Sequence, residues 1–306
     1  MRQLLRLPPD GGLQRELGSS DRPELHLQEP DSGVTRVTSR GSVLIFGGDQ
    51  VYPTASRQEY ERRLVTPYHL ASGFTEEQQP PQVFAIPGNH DWYDGLIAFT
   101  RLFCSSRWFN GWQTKHRKSY FALKLPHGWW VLGADVQLQS DIDDPQVNYF
   151  KQVISHMQAG DRVMLCNAEP YWVTTEKYRE TDPTFAEKNL AFLERLVQAQ
   201  EARIQVSIAG DLHHYRRFEH IPASDDERVS ESLKVEKITA GGGGAFLHPT
   251  HEFTTEALYD NSSEADSPIH KTREFKRMQD YPRVHDSSRL CWRNLLVRGT
   301  ISGLAA

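Results

Sequence analysis

The segment Gly88-Asn89-His90-Asp91 places an amide oxygen, an imidazole and a carboxylate at three consecutive positions. It follows the apolar run from Val83 to Ile86, which predicts a loop at the carboxyl end of a buried strand. Open α/β sheets bind ligands at such strand ends. Amide and carboxylate oxygens suit a hard metal ion, and histidine exchanges protons near neutral pH. The segment indicates metal or phosphate chemistry, and a polar turn facing water is the alternative.

Two similar motifs follow other predicted strands. Gly47-Gly48-Asp49 comes directly after the apolar run from Val43 to Phe46, and its glycines allow the sharp turn that projects Asp49 from the sheet edge. Gly210-Asp211-Leu212-His213-His214 comes after the predicted strand 203–209. Alternation along an extended backbone predicts that Asp211 and His213 point to one side and that His214 points away as a structural histidine.

Each motif alone is also typical of an ordinary turn, but three glycine-led strand ends carrying oxygen and nitrogen ligands predict one shared site. Its expected metal ligands are Asp49, Asn89, Asp211 and His213. We expect His90 to hold or protonate a phosphate oxygen, and Asp91 to fix the tautomer of His90. This set suits two metal ions that together clamp an in-line phosphoryl displacement.

Predicted strands and helices alternate along the chain, which indicates an α/β architecture with a layered core. The helix predicted at 55–70 has Thr54 as its N-cap and a Glu59–Arg63 pair at i,i+4. The other helices are predicted at 94–103, 145–157 and 185–200. The strands are predicted at 43–46, 82–86, 120–125, 129–135, 162–166, 203–209, 215–220 and 233–239, with a turn at Pro126-His127-Gly128. We expect a loop-rich or disordered segment at 1–40, one domain at 41–258 and a polar tail at 259–306.

Composition excludes several classes of protein. The chain has 306 residues and a formal net charge of -5, which argues against a general nucleic-acid binder. Its three cysteines are too few and too widely spaced for a disulfide framework or a zinc cluster, so a reducing, cytoplasmic location is expected. No stretch approaches the roughly 18 apolar residues of a membrane span. A phosphate-ester substrate is the expected partner.

The order Gly-Asp, Gly-Asn-His-Asp and Gly-x-x-His-x-Tyr-x-Arg resembles that of the calcineurin-like metallophosphoesterase superfamily. The block Gly210–Arg217 and the spacing from Gly48-Asp49 to Tyr52 resemble its purple-acid-phosphatase-like branch. The resemblance spans about 43–251 and implies a two-layered β-sandwich flanked by helices. It also implies that a hydroxide held by two metal ions hydrolyses a phosphomonoester or phosphodiester. Asp49 would bridge the ions, and His90 would assist the leaving group or the phosphate.

Three positions depart from the family pattern. The first Asp-x-His block has no convincing copy, because Glu24-Leu25-His26-Leu27 does not end a buried strand, so we expect a chain truncated before the family's first strand. The histidine expected after the strand 162–166 is absent, and Asn167 and Glu169 are both possible oxygen substitutes. Asp211 replaces the first histidine of the last block. These changes favour Mn, Fe or Mg over Zn.

Two interpretations remain open from the sequence. The chain is a metallophosphoesterase, or it is a degenerate or truncated phosphoesterase fold that acts as a non-catalytic metal-binding, ligand-binding or interaction module. The glycine run from Gly241 to Gly244 is typical of a close backbone approach to a phosphate or of a flexible connector. His248 and His251 are further candidates for the rim of the site.

Overall fold

The computed structural model describes residues 5–6, 25–28, 35–38, 41–72, 82–109, 112–136, 140–178, 181, 188–221, 233–242, 255–261 and 272–289. Its strands are β1 Leu5–Arg6, β2 Leu25–Gln28, β3 Thr35–Thr38, β4 Val43–Phe46, β5 Gln82–Ala85, β6 Trp108–Phe109, β7 Trp112–Thr114, β8 Phe121–Lys124, β9 Trp129–Gly133, β10 Arg162–Asn167, β11 Arg203–Ala209, β12 Tyr215–His220, β13 Val235–Ala240, β14 Ala257–Asn261 and β15 Thr272–Tyr281.

The helices are α1 Arg57–Tyr60, α2 Thr66–Ser72, α3 Asn89–Trp92, α4 Ile97–Phe103, α5 Asp144–Ile154, α6 Tyr171–Tyr178 and α7 Lys188–Ala199. A π-helical turn, Glu61–Val65, joins α1 to α2. Residues 284–289 are also helical. The mixture of strands and helices confirms the predicted α/β class.

The strands form two larger sheets and one hairpin. The nine-stranded sheet has the order β1-β8-β9-β10-β11-β13-β12-β15-β14, and the four-stranded sheet has the order β4-β5-β7-β6. β9, β10, β11 and β13 run parallel, as do β4 and β5, so within each sheet the carboxyl ends of these strands lie at one edge. β2 and β3 pair only with each other. Because β4 and β5 are parallel, the glycine-led motifs that follow them lie at the same edge of the four-stranded sheet.

The two larger sheets pack against each other through one face each. Phe84 and Ile86, at alternate positions of β5 and just after it, share an apolar cluster with Phe121, Leu123 and Val131 of the nine-stranded sheet. Successive side chains of a strand point to opposite faces, so the residues between them must pack elsewhere. They contact helices, which therefore cover the outer faces.

Each outer sheet face has its own helical cover. Val83 and Ala85 pack with Tyr60, Leu64 and the aromatic residues of α4 on the outer side of the four-stranded sheet. On the nine-stranded sheet, a second cluster joins α5 and α7 to β8, β9 and β10. The described chain is thus two packed sheets between two layers of helices, with the strand ends free to build a site.

Several local predictions hold and others need correction. β4, β11 and β12 have the predicted bounds, and β8 and β9 form the predicted hairpin. Glu59 pairs with Arg63 as expected, but the N-cap of α1 is Ser56, not Thr54, because the Ser56 hydroxyl accepts the Glu59 N–H at 3.1 Å. The Gly88–Asp91 segment was predicted to be a loop, yet α3 begins at Asn89 directly after β5.

The sheet continues past the boundary predicted at residue 258. β15 pairs with β12 and β14, and Phe275 within it is fully buried, so the predicted polar tail contributes a strand that is paired on both sides. Within 1–40, predicted to be loop-rich, three short strands are described. Across the described residues, no helix is both long enough and apolar enough to cross a bilayer.

Candidate active site

The ends of strands from both sheets meet at one place. The Gly210 N–H, just after β11, donates to the Ala168 carbonyl, just after β10, at 2.8 Å. Gly47, just after β4, approaches the same point, since a methyl group on Gly210 would lie 3.7 Å from its carbonyl oxygen. The segments that follow β4, β10 and β11 are therefore neighbours in space.

Glycine permits the closest of these approaches. A Cβ at Gly88 would lie 2.5 Å from the Asp49 backbone nitrogen and would collide with the Asp49 carboxylate. Gly48 has φ +114, and a Cβ there would lie 3.1 Å from both Gly88 and the Ala168 side chain. Side chains at these two positions would push the motifs apart, so the glycines hold Asp49 against the second motif.

Asp49 and His90 are joined directly. Asp49 Oδ1 accepts the His90 backbone N–H at 3.0 Å, and Asp49 itself has the left-handed φ of 52. Burial raises the pKa of Asp49, while this hydrogen bond and the nearby His90 and His213 oppose the rise. A buried carboxylate with raised pKa gains from a positive ligand, which fits the predicted role in metal binding.

His90 is oriented by a backbone carbonyl and not by Asp91. His90 Nδ1 lies 2.5 Å from the Pro53 carbonyl oxygen. A carbonyl only accepts, so Nδ1 carries the proton and Nε2 is the ring atom left for exchange with a ligand. The predicted role of Asp91 in fixing this tautomer is wrong, because neighbouring residues of a helical turn project in different directions.

Asp91 instead holds the start of α3 in place through hydrogen bonds. It is fully buried, Oδ2 accepts the Gly88 N–H at 2.8 Å, and Oδ1 accepts a short hydrogen bond from the Tyr60 hydroxyl. Burial raises the pKa of Asp91 to about 6, and the Tyr60 and Gly88 donors oppose that rise. Asp91 is therefore a positioning residue that ties α3 to α1.

Asp211 and His213 lie on a bend rather than on an extended strand. Both have positive φ, 60 and 27, so the predicted alternation does not apply, yet both line the same cavity and His214 is buried away from it. Burial raises the pKa of Asp211 to about 6, and Glu169 and Asp49 add to the rise. The two aspartates therefore repel each other across the site in the absence of a cation.

Two asparagines present unsatisfied oxygens. Within the described residues, the buried Oδ1 atoms of Asn89 and Asn167 have no hydrogen-bond partner. The nitrogen atoms of the two amide groups do have partners. Asn89 Nδ2 donates to the Tyr93 hydroxyl at 3.4 Å, and Asn167 Nδ2 donates to the Glu169 carbonyl. A buried acceptor without a donor is costly unless a ligand satisfies it, so both atoms point to a missing cation or donor.

These donors fit a hard metal ion. Within the described residues, no three His, Cys, Asp or Glu side chains are grouped as a metal centre would need. The amide oxygens of Asn89 and Asn167 supply further neutral donors beside the carboxylates of Asp49 and Asp211. An oxygen-rich set of this kind suits Mg²⁺ or Mn²⁺ better than Zn²⁺. Asn167, which lines the cavity, fits the open ligand position better than Glu169.

A cavity of about 980 Å³ opens beside these groups. Asp49, Asn167, Asp211 and His213 line its polar end. Its apolar part runs along β4, where Ile45 shares the cluster between the sheets with Met164 of β10 and Ile208 of β11. Among the described residues, Asn89, His90 and Asp91 do not line the cavity. His90 is linked to the cavity lining through the hydrogen bond from its backbone N–H to Asp49.

The glycine run approaches the site at its first residue. The Gly241 N–H donates to the His214 carbonyl at 3.0 Å, and a Cβ there would lie 2.7 Å from the His213 nitrogen. This supports the interpretation of close backbone approach for Gly241. Residues 243–254, which include His248 and His251, lie outside the described part of the chain.

Sequence reasoning missed three contributors. Tyr60 and Pro53 contact Asp91 and His90 from the segment after β4, and nothing in their local sequence signals this. Gln50 directly follows Asp49, donates to the Ile86 carbonyl at 3.0 Å and has a buried Oε1 with no partner among the described residues. Its position beside Asp49 was the only available sign.

Neither the comparison with protein-family models nor the search among curated proteins finds a match for this chain.

Proposed function

We propose that this chain is a metal-dependent phosphoesterase of the calcineurin-like type, acting on a phosphomonoester or phosphodiester. The observation that carries the proposal is that the buried, unsatisfied amide oxygens of Asn89 and Asn167 lie on segments in contact with those of the desolvated carboxylates of Asp49 and Asp211. Two sheets packed between helices, with these groups at their meeting strand ends, support the same assignment.

Each residue of the site has a role that follows from its surroundings. Asp49, Asn89, Asn167, Asp211 and His213 would hold two divalent ions. When bound, such ions neutralise phosphate charge and lower the pKa of a bound water. His90, with its Nδ1 proton committed to Pro53, exchanges a proton through Nε2 with the oxygen of the departing alcohol.

The second candidate function is a non-catalytic module that binds metal or ligand. The lack of a group of three His, Cys, Asp or Glu ligands within the described residues favours it. Against it stand Asp49 and Asp211, two carboxyl groups with raised pKa values that line one cavity, a pattern more typical of catalytic sites than of structural ones.

The test is Asp49→Asn measured against Asp143→Asn. Asp143 caps α5 through the Gln146 N–H, and asparagine caps equally well, so this control removes a carboxylate without touching the site. After chelation and addition of Mn²⁺, wild type and control should hydrolyse p-nitrophenyl phosphate, and Asp49→Asn should lose more than about a hundredfold.

Metal titration separates the two functions. Two bound ions with hydrolysis support the enzyme, while one ion or none without hydrolysis supports the binding module. Unchanged turnover in Asp49→Asn would refute the site assignment. Stoichiometric zinc alone in the purified protein would refute the preference for Mn, Fe or Mg.

A further inference from the structure

Two exposed tyrosines flank His90. The Tyr52 ring centroid lies 4.4 Å from that of His90 with the planes at 57°, and the Tyr93 ring lies 4.9 Å away at 71°. Tyr52 is 42% exposed and Tyr93 is 52% exposed. Since they come from the segments after β4 and after α3, they converge on His90 from two sides.

Packing of the protein core does not account for this arrangement. Both rings pack against His90, yet much of each aromatic side chain remains in contact with water. A group of exposed aromatic side chains beside a polar site marks a surface that contacts a ligand.

Tyr93 also contacts the site through its hydroxyl. It accepts the long hydrogen bond from Asn89 Nδ2, whose own Oδ1 is one of the two unsatisfied oxygens. The Tyr93 ring and hydroxyl therefore have separate contacts, with His90 and with Asn89. Tyr93→Phe removes the hydroxyl contact with Asn89 and keeps the ring contact with His90.

We propose that the phosphate ester hydrolysed here carries a planar aromatic ring on its alcohol, and that Tyr52 and Tyr93 bind that ring. This rests on the proposed function. In the reaction the water oxygen forms a bond to phosphorus and gives up a proton, the P–O bond to the alcohol breaks, and His90 takes up a proton at Nε2 and passes it to the departing alcohol oxygen. The alcohol thus leaves beside His90, where its ring meets the two tyrosines.

The test compares benzyl phosphate with cyclohexylmethyl phosphate. Both release a primary alcohol of similar size, but only the first has an aromatic face, so the ratio of their kcat/KM values isolates recognition of the ring. Stacking on an aromatic side chain is worth about tenfold or more per ring. Wild type should prefer benzyl phosphate, and Tyr93→Ala should reduce that preference about tenfold.

Two variants control the experiment. Tyr93→Phe keeps the ring and should keep the preference, even if both esters are hydrolysed more slowly through Asn89. Tyr259→Ala removes a tyrosine as exposed as Tyr52, at 42%, from the edge strand β14 and should keep the preference too. Equal losses on both esters in Tyr93→Ala would mean that the ring only supports His90, which overturns the proposal.

The wild-type result distinguishes this proposal from the proposed function. Hydrolysis of both esters without preference for the aromatic one overturns the ring site and leaves the phosphoesterase standing. Failure to hydrolyse either ester, together with failure on p-nitrophenyl phosphate in the presence of Mn²⁺, overturns both.

Discussion

Asp49 and His90 are separated by 41 positions of sequence, yet the Asp49 carboxylate accepts the His90 backbone N–H at 3.0 Å. The bond links the end of β4 to the start of α3. It gives the carboxylate one donor while leaving its other oxygen for a cation. The relative position of Asp49 and His90 is therefore set by this hydrogen bond and by Gly88, which allows the close approach.

That glycine yields the first prediction. Gly88→Ala should lower the free energy of unfolding by about 1–3 kcal/mol, because the new methyl group collides with the Asp49 carboxylate and overpacks the junction. The same variant should lose Mn²⁺-dependent hydrolysis. Urea unfolding followed by circular dichroism measures the first effect, and p-nitrophenyl phosphate turnover the second.

Gly47→Ala is the matched control. A Cβ at Gly47 would meet no atom within 4 Å, and this glycine does not have a positive φ. The substitution should leave the free energy of unfolding unchanged or raise it by up to about 1 kcal/mol. If both glycine variants unfold at the same denaturant concentration, the contact between Gly88 and Asp49 does not constrain the site.

Asn167 yields the second prediction. In Asn167→Leu, loss of the bond to the Glu169 carbonyl is offset by removal of the unsatisfied buried Oδ1. The metal-free variant should therefore unfold within about 1 kcal/mol of wild type. Its rise in melting temperature on addition of Mn²⁺ should be much smaller than that of wild type, because a ligand that binds only the folded state stabilises it less when its affinity is lower.

The contrary outcome is equally distinct. A structural asparagine would give a metal-free variant that is destabilised by several kcal/mol, with the Mn²⁺ response intact. Asn189→Leu provides that comparison, since Asn189 Nδ2 donates to the Ile142 carbonyl at 2.7 Å. This control should lose stability in the metal-free state and keep its response to Mn²⁺.

Much of the scaffold is predictable from sequence because its strands are apolar runs that end at glycine. β4 and β11 are of this kind, and their bounds follow from composition alone. β15 is not, since its ten residues are mostly polar and only Phe275 within it signals burial. It is a strand because it pairs with β12 and β14, and a local sequence pattern does not show pairing between distant segments.

The candidate site also has features that are predictable from sequence and features that are not. Its candidate ligands could be proposed from residue type and position at strand ends, since those depend on nearest neighbours in the chain. The orientation of His90 by Pro53 and the burial of Asp91 against Tyr60 depend on how the segment after β4 folds over α3. Such contacts are tertiary, so the role predicted for Asp91 could not be checked against local sequence and is wrong.

His116 yields the last prediction, on pH. It is buried between the sheets' aromatic residues, where Nε2 accepts the Ala85 N–H at 3.1 Å and Nδ1 donates to the Lys118 carbonyl at 2.7 Å. Burial lowers the pKa of His116 from 6.5 to about 4. As pH falls below 6.5, His116 therefore binds a proton in the unfolded chain but not in the folded chain, and the free energy of unfolding decreases.

The expected loss from this group is about 2 kcal/mol between pH 7 and pH 5, with the larger stability at pH 7. His116→Gln has no titrating ring, so the difference in free energy of unfolding between wild type and variant should shift by that amount across the interval. His285→Gln, which alters a histidine 80% exposed, should follow wild type at both pH values. Parallel curves for wild type and His116→Gln would contradict the prediction, because the Ala85 N–H at the end of β5 would then tolerate a protonated partner.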